Sequence, residues 1–137
     1  MNRIEFCKLL NNAKLTSGQK MKDVCFALGL MPTDIYRLER GSHNFNMKKA
    51  IDYLNVVGYS IALTKDNGHC LIGEYKLLVE WLKSARQGIF SQRSLAQEVG
   101  CSYAVIANTE IEKSIISIDL FLQIIEALGY ELKIVPK

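Results

Sequence analysis

Apolar residues recur at three- and four-residue spacing along most of the chain, the pattern of helices that bury one face. Ile4, Phe6, Cys7, Leu9 and Leu10 predict a first helix from Asn2 to about Lys14. Leu15 to Gln19, with Thr, Ser and Gly, reads as a loop. Val24 and Leu28 share one face of a second helix, about Lys20 to Leu28, and Gly29 supplies the left-handed residue that ends it. Pro32 suits the start of a third helix, because proline has no amide proton to leave unbonded there. Ile35 and Leu38 turn this helix inward as far as Arg40. Gly41 to Asn46 is a polar loop with Phe45 folded inward, and Asn46 is placed to cap a fourth helix, Met47 to Val57. Tyr59 to Thr64 alternates and is rich in β-formers, so it predicts a strand. Asp66-Asn67-Gly68-His69 predicts a two-residue turn with positive φ at both central residues, and Cys70 to Ile72 returns as a second strand.

The rest of the chain repeats this order. A long helix, Glu74 to about Gln87, carries Tyr75, Leu78, Val79, Trp81, Leu82 and Ala85 on its buried face. Ser91, Ser102 and Ser117 are placed to cap helices Gln92 to Val99, Tyr103 to about Ile111, and Ile118 to Leu128. Tyr130 to Val135 is the matching strand, stopped by Pro136. Identical residues stand 71 positions apart at Gly29 and Gly100, Ile35 and Ile106, Glu39 and Glu110, Gly58 and Gly129, and Tyr59 and Tyr130. Apolar positions correspond at the same offset, as in Val24 and Leu95 or Ile51 and Leu122. The chain therefore reads as two copies of one unit. Residues 1–66 form the first unit with its strand, 67–73 the hairpin turn and return strand, and 74–137 the second unit with its strand. Within each copy, two short helices joined by a tight turn are a helix-turn-helix. A lone terminal strand leaves its backbone groups unpaired. The expected fold is mainly α, with two helix-turn-helix units in pseudo-two-fold arrangement joined by a small antiparallel sheet.

Composition narrows the picture. Of 137 residues, 49% are hydrophobic, enough for a core, and no run of about 18 apolar residues predicts a membrane span. The charged start, Met-Asn-Arg-Ile-Glu-Phe-Cys-Lys, does not read as a signal peptide. Cys7, Cys25, Cys70 and Cys101 are scattered in apolar settings, so reduced thiols in a cytoplasmic chain are expected, with no metal and no cofactor. Residues 1–66 hold 10 Lys/Arg against 6 Asp/Glu, whereas residues 67–137 hold 7 against 8. The first half is the better equipped to meet phosphate. No Ser/His/Asp, Cys/His or paired-carboxylate arrangement is apparent, so no enzymatic activity is expected.

The stretch Ser91-Gln92-Arg93-Ser94-Leu95-Ala96-Gln97-Glu98-Val99-Gly100-Cys101-Ser102-Tyr103-Ala104-Val105-Ile106-Ala107-Asn108-Thr109-Glu110 resembles the motif of the lambda-repressor/Cro-like, Xre-type helix-turn-helix family. The first unit carries that family's closing Ile35, Glu39, Arg40 and Gly41. The ending Ala127-Leu128-Gly129-Tyr130-Glu131-Leu132-Lys133-Ile134-Val135-Pro136 is similar to the terminal strand of HipB-like antitoxins. The resemblance implies a sequence-specific transcriptional regulator binding double-stranded DNA, with a toxin-like protein partner or homodimer as the alternative assembly. It implies that the third helix of each unit enters a major groove. Thr33, Tyr36 and Arg37 would then meet base edges, with Arg37 suited to guanine. Arg40, Lys48 and Lys49 would anchor phosphates. In the second unit Tyr103 and Asn108 would face bases, Asn108 suiting adenine, and Gln92 and Arg93 would meet phosphate. The chain departs from the family at Lys20-Met21 and Met31-Pro32, where capping residues are usual, and at Ile111-Glu112-Lys113, where Arg-Gly-Lys is common. Glu112 puts negative charge near a phosphate, so a strong and a weak half-site are expected.

Overall fold

In the computed structural model, which describes residues 1–137, eight helices and three strands follow one another in the order the hydrophobic pattern sets. Helix α1 (Arg3–Ser17) is capped by Asn2, whose side chain accepts from the Glu5 amide at 2.9 Å, and ends at Gly18. It runs three residues beyond the expected Lys14, as far as the left-handed Gly18 that stops it. Ile4, expected inside, lies outside, while Phe6, Cys7, Leu10 and Ala13 hold the buried stripe. Helices α2 (Met21–Leu28), α3 (Pro32–Arg40) and α4 (Met47–Val57) follow the punctuation of Gly29, Pro32 and Asn46. The Asn46 side chain accepts from the Lys49 amide at 2.9 Å, as a cap must.

Strands β1 (Tyr59–Lys65) and β2 (Gly68–Ile72) form an antiparallel hairpin. Its turn sits one residue earlier than the Asn-Gly signal suggests: Lys65 pairs with Gly68, and Asp66, with φ of 51°, takes the left-handed conformation. This register sets Ile61 against Ile72 and Leu63 against Cys70. An Asn67-Gly68 turn would instead oppose Ile61 to Glu74, so side-chain matching overrides the local turn preference.

Helices α5 (Tyr75–Gln87), α6 (Gln92–Val99), α7 (Tyr103–Glu110) and α8 (Ile118–Leu128) complete the helical set. Ser91 and Ser117 cap α6 and α8 through their hydroxyls. Ser102 stands in the cap position of α7, but its hydroxyl makes no capping bond. Strand β3 (Glu131–Pro136) pairs antiparallel with β1, giving the sheet order β2-β1-β3.

The fold is thus mainly helical with a small three-stranded antiparallel sheet. Besides the ladder, polar contacts bind the halves, among them the Lys65 ammonium donating to Leu128 O at 2.8 Å and the Asp119 amide to Asn44 Oδ1 at 3.0 Å. Asn46 and Ser117 form an isolated antiparallel bridge, in which the Met47 amide donates to Ile116 O and the Ile118 amide to Phe45 O, both at 2.8 Å. Arg3 donates to the Asp119 carboxylate at 2.8 Å and to Gly41 O at 3.0 Å. One hydrophobic cluster runs from Phe6 in α1 to Leu132 in β3. Trp81 meets Phe121 and Tyr130 edge-on within it. No helix is long and apolar enough to cross a membrane.

Candidate nucleic-acid interface

The turn between α2 and α3 is built from its backbone outward. Gly29, with φ of 65°, passes its amide to Phe26 O, and Leu30 donates to Cys25 O. Met31 has no side-chain oxygen with which to cap α3, and the Asp34 carboxylate reaches back to accept from the Met31 amide at 3.3 Å. Ile35 and Leu38 are fully buried, so the opposite face of α3 is fixed toward solvent. Thr33, Tyr36, Arg37 and Arg40 all lie exposed there, with Tyr36 half exposed. Lys48 is exposed at the start of α4, and Lys49 lies over the Phe45 ring, 5.3 Å from its centroid. The chain's three ion pairs involve none of Arg37, Arg40, Lys48 and Lys49. None of these four cations has a carboxylate partner within the chain.

The second half presents a different surface. Tyr103 is exposed, and the Arg93 guanidinium stacks 4.4 Å from its ring centroid, a cation–π contact that holds both side chains at the start of α7. Asn108 is half-buried. Gln92, expected to reach outward to phosphate, turns its amide inward and donates to Glu110 Oε1 at 3.0 Å. Glu112, with φ of 59°, adopts the left-handed conformation that Gly41 adopts 71 positions earlier. The hydrophobic side chains of Ile111 and Ile115 stand out in solvent on either side of it.

Behind each outward face lies a buried ion pair, whose acid recurs at the 71-residue offset and whose cation the hydrophobic pattern alone does not single out. Lys14 Nζ lies 2.6 Å from Glu39 Oε2, which also accepts from the Tyr53 hydroxyl at 2.6 Å. Arg86 grips Glu110 through two nitrogens, at 2.5 and 2.9 Å, and donates a third bond to Phe90 O. Each pair ties the first helix of its half to the last turn of α3 or α7. The signal was present: Lys14 continues the stripe of Phe6, Cys7 and Leu10, and Arg86 that of Leu78, Val79 and Leu82. Burial, and then the Glu39 carboxylate beside it, push the Tyr53 hydroxyl far above the usual phenol range. Burial likewise pushes the Cys7 thiol up to about 11 and raises Cys70 and Cys101. These three thiols are protonated near neutral pH and are poor nucleophiles. Comparison of the chain with protein-family models, with curated proteins and with solved structures finds no match.

Proposed function

We propose that the chain is a sequence-specific DNA-binding regulator with two helix-turn-helix units, in which α3 enters the major groove. The observation that carries this reading is the composition of the outward face of α3. Its inward side is filled by Ile35 and Leu38, and its outward side offers Thr33, Tyr36 and Arg37 with unpaired Arg40 and Lys48 alongside. A helix held rigidly from behind by the Lys14–Glu39 pair, with a guanine-matching Arg at its exposed centre, has the parts that direct base readout requires. Arg40, Lys48 and Lys49 supply the phosphate contacts that set register.

A pseudo-two-fold relation between the units is part of the proposal. Residues 71 positions apart face each other twice, Asn46 opposite Ser117 and Ala62 opposite Lys133. Residues that meet their own counterparts lie on a two-fold axis. The bounds of α2 and α6, and of α4 and α8, are displaced by the same 71 positions. The ligand expected from such an arrangement is an inverted pair of half-sites about one helical turn apart.

Fluorescence-anisotropy titration of labelled duplexes at two salt concentrations tests the reading. Wild type is expected to prefer one sequence over scrambled duplex. Arg37→Ala should lose about 1–3 kcal/mol of that discrimination, and Lys48→Ala should weaken all duplexes alike while lowering the salt slope by about one. Weak, steeply salt-dependent binding with no sequence preference would remove specific DNA recognition as the function.

A further inference from the structure

The two outward faces offer different chemistry to a base pair. Helix α3 presents Arg37 at its exposed centre, whereas α7 contains no Lys or Arg, and its only carboxylate, Glu110, is buried against Arg86. What α7 turns outward is a ring, alkyl groups and one amide: exposed Tyr103, Ala104 and Val105, with half-buried Ala107 and Asn108 beside them. Guanine is read through O6 and N7 by charged donors, and α7 has none to give. Thymine is read by apolar contact with its C5-methyl, and adenine by the paired donor and acceptor of an Asn amide. Arg86 is taken up by Glu110, and exposed Arg93 is held over the Tyr103 ring at the start of the helix, where its free donors suit a phosphate.

We infer that the ligand is an asymmetric duplex: a half-site containing guanine, read by α3, joined to a half-site of A·T pairs, read by α7 through Asn108 and the methyl groups of its alanines. The inference rests on the DNA-binding reading and extends it to the identity of the two halves. The second half-site is the weaker one. Its reading helix contributes no charge, and Glu112 stands just beyond its end.

Selection from random-sequence duplexes, followed by sequencing of the bound fraction, tests this with wild type, Arg37→Ala, Asn108→Ala and Ala104→Arg. Wild type is expected to enrich two inverted half-sites, one with a fixed guanine and one of A·T pairs only. Arg37→Ala should reduce the guanine preference about ten-fold and leave the A·T half unchanged, and Asn108→Ala should do the reverse. Ala104→Arg adds the missing donor at an exposed position and should bring a guanine into the second half. If Asn108→Ala does not fold, Ala104→Arg carries the test alone, because its site is solvent-facing. A G·C preference in the second half of the wild-type site overturns the inference. So does enrichment of a single half-site that Ala104→Arg leaves unaltered, a result that assigns α7 to a protein surface and leaves DNA binding by α3 standing. Enrichment of no sequence at all removes the DNA-binding reading and this inference with it.

Discussion

Glu39 and Glu110 occupy matching places, buried at the ends of α3 and α7, yet different neighbours neutralise them. Glu39 is met by the ammonium of Lys14 and the hydroxyl of Tyr53, while Glu110 is met by the two-pronged guanidinium of Arg86 and the amide of Gln92. Ile124 stands where the second half would need a tyrosine, and Met21 where the first would need a glutamine. What each half preserves is a carboxylate with one cation and one neutral donor. The residues that supply them have changed: the cations come from corresponding helices, α1 and α5, but the neutral donors come from α4 in one half and α6 in the other. The fold therefore constrains charge balance behind the outward helix more tightly than it constrains side-chain identity. Gly41 and Glu112 differ in the opposite sense. Both take positive φ, but a Cβ on Gly41 would stand 3.1 Å from the Ile4 backbone. The first half needs glycine for space as well as for conformation.

The largest test of this comparison removes one partner from each buried pair. Lys14→Met and Arg86→Met leave a buried carboxylate uncompensated, and each is expected to lower unfolding free energy by about 3–5 kcal/mol in urea titration. Adding Glu110→Leu to Arg86→Met should recover most of the loss, because the isolated charge is then gone. Gly41→Ala comes next, with an expected loss of about 1–3 kcal/mol from strained φ and close backbone approach. Tyr53→Phe should cost about 1–2 kcal/mol at neutral pH, the worth of a hydrogen bond to a charged group that keeps a second partner. Its pH dependence sharpens the contrast. The folded Tyr53 hydroxyl holds its proton above the unfolded value near 10, so its contribution is whole below pH 10 and is lost as pH rises beyond it. Unfolding free energy followed from pH 9 upward should fall less steeply in Tyr53→Phe than in wild type. Glu112→Gly is the smallest change, a gain of about 1 kcal/mol from relieving a left-handed non-glycine. A loss there would mean that the Glu112 side chain has a stabilising contact in solution.

Helix bounds were legible wherever a glycine or a capping side chain marked them, as at Gly29, Asn46, Ser91 and Ser117. Those residues act through the backbone next to them, so their effect is local. The hairpin turn was misplaced because its position is decided by the pairing of Ile61 with Ile72, a long-range match that outweighs the Asn-Gly preference. Lys14 and Arg86 were missed because long cations are ordinarily surface residues. Only the stripe they continue, together with an acid on the inward side of the facing helix, reveals them. The inward turn of Gln92 had no local signal at all, since it depends on where Glu110 arrives after folding. The outward faces were easier to read. Once Ile35, Leu38 and Ile106 are assigned to the core, helical geometry leaves little choice for their neighbours.

The ladder between β1 and β3 is formed within one chain. A homodimer built from two separate copies would dissociate on dilution, and its melting temperature would fall with protein concentration. Here the partner strand is attached, so the pairing of the halves is a first-order process that dilution leaves untouched. Linkage also frees the halves from having to match themselves. A substitution in a symmetric dimer appears twice, whereas Glu112 or Arg37 appears once, and each half is able to change its face without altering the other.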